Sequence, residues 1–168
     1  MFDISQTTAK EQQPQVQSRD ERTLISSLIN CHRKDIVPVD TLENRAVGAF
    51  YNPDDGKIYV RRGLEFEDLF RAVTVEIAHK ELAAANDGYS RENMGFAAYA
   101  ASYIVCKKNG INVDGYNFSN LPDNLREGDE KSVRAQLSSI RDTAETISAK
   151  MSKALDQIRE ARKKEQER

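Results

Sequence analysis

One stretch constrains the fold of this chain more than any other: "LEFEDLFRAVTVEIAHKELAAAN", residues 64–86. Within it Phe66, Leu69, Phe70, Val73 and Ile77 recur at helical spacing and make a single apolar stripe. Asn86, Asp87 and Gly88 end the pattern. A helix this long with one apolar face must lie on a core, so the remaining segments have to supply the opposing surfaces. A chain of 168 residues, 39% hydrophobic and 31% charged, is long enough to do so as one domain.

The flanking segments read as follows. Residues 1–20 are polar and Gln-rich and predict a flexible leader. Leu24, Ile25, Leu28 and Ile29 predict a helix over Glu21–Asn30, and "DIVPVD" reads as an extended connector ending near Asp40. "AVGAFYNPDDGKIYVRRG" is a hairpin signal: the apolar runs Ala46–Tyr51 and Ile58–Val60 flank a turn built from Asn52 to Gly56. A further helix is expected from about Arg91 to Lys108, burying Phe96, Tyr99, Ala100, Tyr103 and Ile104, with Asn109 and Gly110 as its stop. "INVDGYNFSNLPDN" reads as loop.

From Glu130 to about Arg162, Val133, Leu137, Ile140, Ala144, Ile147, Met151, Ala154 and Ile158 alternate at steps of four and three. That seam serves either packing on the chain's own domain or a coiled-coil dimer through the C-terminal helix; the small Ala144 and Ala154 favour the first. Residues 161–168 read as a charged tail. The expected fold class is α+β: a small antiparallel sheet near residues 46–60, a helical core from 66 to 109, and a long C-terminal helix from about 130, with residues 21–160 as the domain.

Bulk properties exclude several classes of function. A net charge of −2 argues against a generally basic nucleic-acid binder. Arg61-Arg62, Lys107-Lys108 and the tail "REARKKEQER" are local basic features, and Tyr51, Tyr59 and Tyr116 are candidate stacking residues. Interleaved Glu residues dilute that field, which favours solvated surface charge. No apolar run approaches a membrane span, and Met1 to Gln15 lack a signal-peptide core. Cys31 and Cys106 have no ligand spacing, so reduced thiols and a cytoplasmic location are expected. There is no Gly-flanked nucleophile elbow, no phosphate-binding G-x-x-x-x-G-K-[ST] loop and no G-x-G-x-x-G.

The middle of the long helix, "TVEIAHKEL" (Thr74–Leu82), is one residue away from H-E-x-x-H. In that motif two His one turn apart bind zinc and the intervening Glu is the general base. Here Val75-Glu76-Ile77-Ala78-His79 keeps the Glu and the second His, while Val75 has no ligating atom. One ligand on a helix is too few for a tetrahedral site. His32, the other histidine, is the candidate additional ligand. The alternative for Glu76 and His79 is a structural role, with Glu76 paired to Lys80 at i, i+4 and His79 hydrogen-bonded near the core.

Four stretches together give a wider likeness: "FDISQT" (Phe2–Thr7), "YNPDDGKIYVRRG", "TVEIAHKEL" and "AASYIVCKKNGINVDGYNFSNL". In order along nearly the whole chain, with the closing "VRAQLSSIRDTAETISAKM", they resemble the zincin-like domain of ArdC-type antirestriction and LtrC-like proteins of plasmids and conjugative elements. These are distant relatives of the IrrE/ImmA metallopeptidases. The resemblance places the family's general base on Glu76, its zinc ligands on Val75, His79 and Tyr99, and so leaves two of three ligand positions without a ligand. Glu92 does not replace Tyr99, because seven residues separate them, roughly 10 Å along a helix.

What the resemblance implies is a pseudo-metallopeptidase domain of a mobile-element protein. It would have no zinc and no hydrolytic activity, and would serve as a protein-interaction or accessory module beside antirestriction or DNA processing. Family members generally carry a single-stranded DNA-binding part ahead of this domain, which places any nucleic-acid role in an N-terminal region of a longer parent. The alternatives are a zinc metallopeptidase rebuilt on His79, Glu76 and His32, and a single-stranded DNA-binding accessory domain. Val75 and Tyr99 are expected close together with His79 nearby, filling the volume that the metal takes in active relatives.

Overall fold

The computed structural model describes residues 20–168. The leader, apart from Asp20, and the Phe2–Thr7 segment lie outside the described residues. The fold is α+β, with elements α1 (Glu21–Asn30), β1 (Ile36–Val39), β2 (Ala49–Asn52), β3 (Lys57–Arg61), α2 (Phe66–Ala85), α3 (Arg91–Lys108), α4 (Asp123–Arg126) and α5 (Glu130–Gln166).

The hairpin forms as the turn residues dictate, with β2 antiparallel to β3 and Gly56 at φ 70° completing the turn. The "DIVPVD" connector is instead a strand. β1 pairs parallel with β3, so the order is β1-β3-β2 and the expected antiparallel sheet is mixed. Pro38 concealed that strand, since proline removes a ladder donor; it is tolerated because β1 is an edge. The sheet's inner face, Ala49, Tyr51, Ile58 and Val60, is buried. Just before β2, Gly48 passes so close to α2 that a Cβ there would lie 2.8 Å from Leu64 and 2.9 Å from Ala72.

α2 behaves as its stripe requires: Phe70, Val73 and Ile77 are completely buried, and Leu82 extends the same contact. α3 starts at the Ser90 cap, whose side chain accepts from the Asn93 N–H at 3.1 Å. Its buried face is not the expected aromatic one. Ala98, Ala101, Ser102, Val105 and Cys106 are buried, and Ile104 is 40% exposed. Small side chains bring α3 closely onto α2, which pushes Phe96, Tyr99 and Tyr103 to the flank. There they are half-buried beneath Tyr116 and Phe118 of the following loop. That loop ends in α4, a single turn of helix where loop was expected.

α5 spans 37 residues, about 55 Å, and starts at Asp129, which accepts from the Ser132 N–H at 2.7 Å. It continues to Gln166 through most of the segment expected as a charged tail, and Arg162 returns to Thr23 at the start of α1. The seam packs inward: Ile140, Ala144, Ile147, Met151 and Ala154 are buried against α1, α2 and α3. Leu137 lies outside that contact. A charged cluster reinforces it: Glu81 of α2 meets His32 at 2.8 Å and Lys150 of α5. Burial alone would raise the Glu81 pKa, yet the hydrogen bonds from His32 and Lys150 hold it below the ordinary value.

Because Ile147 is 0% exposed and Leu137 is 53% exposed, truncating them should have unequal effects. Ile147→Ala is expected to cost about 2–4 kcal/mol and Leu137→Ala less than about 0.5 kcal/mol, read from urea midpoints. Equal losses would contradict an inward-facing seam.

Candidate functional site

α2 carries Val75, Glu76 and His79 on consecutive turns near its middle, the region of the helix most deeply set in the fold. Glu76 is only 4% exposed, so its carboxylate needs partners at close range. It has three. Oε2 accepts from the Tyr51 backbone N–H of edge strand β2 at 2.6 Å and from Arg91 Nη1 at 2.9 Å. Oε1 accepts from Arg91 Nη2 at 2.6 Å. The Arg91 pair is therefore bidentate, the strongest geometry available to a guanidinium and a carboxylate. Burial disfavours the Arg91 cation, but the hydrogen bond and charge of Glu76 outweigh this and raise its pKa. The far face of the same guanidinium lies 4.8 Å from the Phe50 ring centre, a cation–π contact on the strand that Glu76 caps.

His79 is also buried, and its Nδ1 shares a 3.0 Å hydrogen bond with the Tyr89 hydroxyl. Tyr89 presents its ring edge-on to both His79 and Tyr51. Burial, with the Arg91 charge adding to it, pushes the His79 pKa down to about 4, so the ring is neutral at pH 7. The pair Glu76 and Lys80, expected at i, i+4, does not form. Lys80 turns instead to the Gly56 carbonyl at 2.7 Å and to Asp35 at 3.3 Å.

Val75 and Tyr99 border one open cavity of about 450 Å³, together with Arg71 and Tyr116. The Tyr99 hydroxyl accepts from the Asn117 N–H at 2.8 Å, and its ring lies 4.8 Å from that of Tyr116. His79, one turn along α2 from Val75, is turned to Tyr89 and is not among the residues that line this cavity. His32 is held by Glu81, which lies about 200° around the helix from His79, so the two histidines are on different sides of α2. Glu92 is exposed in the first turn of α3. Among the described residues no three His, Cys, Asp or Glu side chains converge as a metal-ligand set. The donor set does not fit zinc: Val75 has no lone pair, the Glu76 carboxylate is ion-paired with Arg91, and His79 alone is too few.

The candidate stacking residues are similarly committed. Tyr51 is buried, Tyr116 bonds to Ser102 at 2.7 Å inside the aromatic cluster, and the Tyr59 hydroxyl donates to Asp55 at 2.6 Å. Arg62 pairs with Asp40, and Lys107 lies 5.6 Å from the centre of the Tyr103 ring.

Sequence reasoning passed over Arg91 and Tyr89. They lie 15 and 10 residues beyond the groups they bind, just past the Asn86-Asp87-Gly88 break. Their only signal was a cation and an aromatic at the start of the helix that must fold back on α2. Comparison of the chain with protein-family models, with curated proteins and with solved structures finds no match in any of the three.

The neutral His79 makes stability depend on pH. Its folded pKa of about 4 lies below the ordinary 6.5, so the unfolded chain binds the extra proton between these values. Stability therefore falls as pH drops through that window. Between pH 7 and 5 this one group should cost the native chain about 2 kcal/mol. His79→Gln should remove that component, measured as the difference between the two proteins' urea midpoints at each pH. Parallel pH profiles for the two proteins would refute it.

Proposed function

We propose that this chain is a non-hydrolytic zincin-like domain that acts by binding a protein partner, as an accessory module of a mobile-element protein concerned with antirestriction or DNA processing. The observation that carries the reading is the state of Glu76. A general base needs an oxygen free to take a proton from water at neutral pH. The Glu76 carboxylate is instead the acceptor for a bidentate Arg91 and for the Tyr51 N–H. Val75 and Tyr99, on which the resemblance places the first and third ligands, agree with it. No zinc is expected in this reading.

The ancestry rests on the collinear stretches described above. The cytoplasm is the proposed location, supported by two free thiols, Cys31 just past α1 and Cys106 within α3.

The test is direct. Full-length chain incubated with excess zinc and then desalted should retain it only sub-stoichiometrically. It should cleave a fluorogenic peptide library no faster than Glu76→Gln does. One tightly held zinc per chain, with cleavage abolished by Glu76→Gln, would establish the metallopeptidase reading in its place. A second readout concerns the pair itself. Arg91→Ala leaves a buried carboxylate with one donor, and should cost about 2–4 kcal/mol, less than a fully buried pair because Arg91 is 40% exposed. Glu76→Gln combined with Arg91→Ala should recover part of that loss.

A further inference from the structure

Where β1 meets α1 and the start of α2 there is a groove of about 370 Å³, which shares Arg61 and Leu64 with the Val75–Tyr99 cavity but none of Glu76, His79, Tyr89 and Arg91. Its floor is aliphatic: Ile29 of α1, Ile36 and Pro38 of β1, Leu64 and Leu69. Its charged lining residues are Arg33, Arg61 and Arg62, with no Asp, Glu or aromatic residue among those that line it. In a chain of net charge −2 this is a local reversal of sign. Among the described residues neither Arg33 nor Arg61 has a carboxylate within 4.0 Å. The Arg61 side chain donates to the Arg45 carbonyl, and the Arg62–Asp40 pair is exposed on both sides, a pairing of little energetic weight.

The edge of β1 narrows the mode of binding. β1 uses the Asp35 and Val39 carbonyls toward β3, so its outward-facing positions are Ile36 and Pro38. The Ile36 N–H is already bonded to the His32 carbonyl at 3.2 Å, and Pro38 has no N–H. This edge therefore offers no backbone donor to an added strand. An added strand would find only the Ile36 and Pro38 carbonyls, which favours binding through side chains, as when an amphipathic helix lies in an apolar groove.

We propose that this groove is a docking site for an acidic amphipathic helix of a partner protein, its leucine-like residues on the aliphatic floor and its Asp or Glu residues against Arg33, Arg61 and Arg62. Nucleic acid would bring phosphates to the same arginines, but the floor has no ring for a base to stack on. This assignment rests on the reading of the chain as a binding module and names the partner's chemistry.

The experiment is a phage-displayed library of randomised helical peptides panned against the full chain, with enriched peptides titrated by fluorescence anisotropy. Enriched sequences should carry aliphatic residues at i, i+3 or i+4 and i+7 with Asp or Glu flanking them. Arg33→Glu, at an exposed residue, should weaken their binding about tenfold or more, and Leu64→Asp should abolish it. Enrichment without acidic residues, or binding unmoved by Arg33→Glu, would overturn the proposal. So would single-stranded DNA binding, or self-association in sedimentation, that Arg33→Glu abolishes while no peptide is enriched. The two readings fail separately: an empty groove leaves the zinc and cleavage results untouched, and a zinc-dependent peptidase could still hold an acidic helix here.

Discussion

A carboxylate placed inside a protein must find counter-charge, and the answer found by Glu76 organises this molecule. Its three accepted hydrogen bonds join α2, on which it sits, to two other elements: one comes from the backbone of edge strand β2 and two from Arg91 in the first turn of α3. Desolvating an isolated carboxylate would cost several kcal/mol, so removing its donors destabilises the native arrangement. The pair thereby fixes the position of α2 against the sheet and of α3 against α2. Arg91 also acts beyond Glu76. Its charge adds to burial in lowering the basicity of His79, which keeps that ring neutral and able to sit beside Tyr89 with little solvent.

The packing around this pair follows from side-chain size. α3 buries Ala98, Ala101 and Ser102 in its contacts with α2 and α5, and α5 adds Ala144 to the core. Small residues let three long helices approach closely, and the volume they do not supply is filled by Phe70, Ile77, Leu82 and Ile147. The large aromatics of α3 are displaced to its flank. There they form a second, partly exposed cluster with Tyr116 and Phe118, and that cluster pins down the loop after α3. The polar contacts of Glu81 with His32 and Lys150 then tie α1 and α5 to the side of α2 that faces away from His79.

Much of this was legible in the sequence, for local reasons. The α2 stripe, the hairpin turn ending in Gly56, the stop at Asn109-Gly110 and the long heptad-like helix all follow from periodicity or turn chemistry. β1 was hidden because Pro38 sits in a four-residue strand and its parallel partner is about twenty residues away. The buried face of α3 was misjudged because large apolar residues were taken as the core signal, whereas contact between close-packed helices selects small ones. At the site, Val75 was readable as a residue with no ligating atom. The pairing of Glu76 was not, because a guanidinium reaching back 15 residues has no period to detect. Nor does spacing show that His32 belongs to Glu81: that contact joins residues 49 apart in the chain.

The two edges of the sheet show how the fold treats its unpaired backbone. At β2 the Tyr51 N–H is occupied by the carboxylate of Glu76, and Arg91 lies over Phe50 beside it. At β1 the outward donors are removed by Pro38 and by the bond from Ile36 to His32. A three-stranded sheet open on both sides would otherwise template pairing with other chains. A side chain with a negative charge does the work at one edge, and an imino acid with a local turn does it at the other. Both solutions leave side-chain surfaces as the means of recognition, and the arginine-rimmed groove beside β1 is such a surface. Glu76 thus has a structural role: without its carboxylate Arg91 loses its partner, and the edge of β2 regains a free donor.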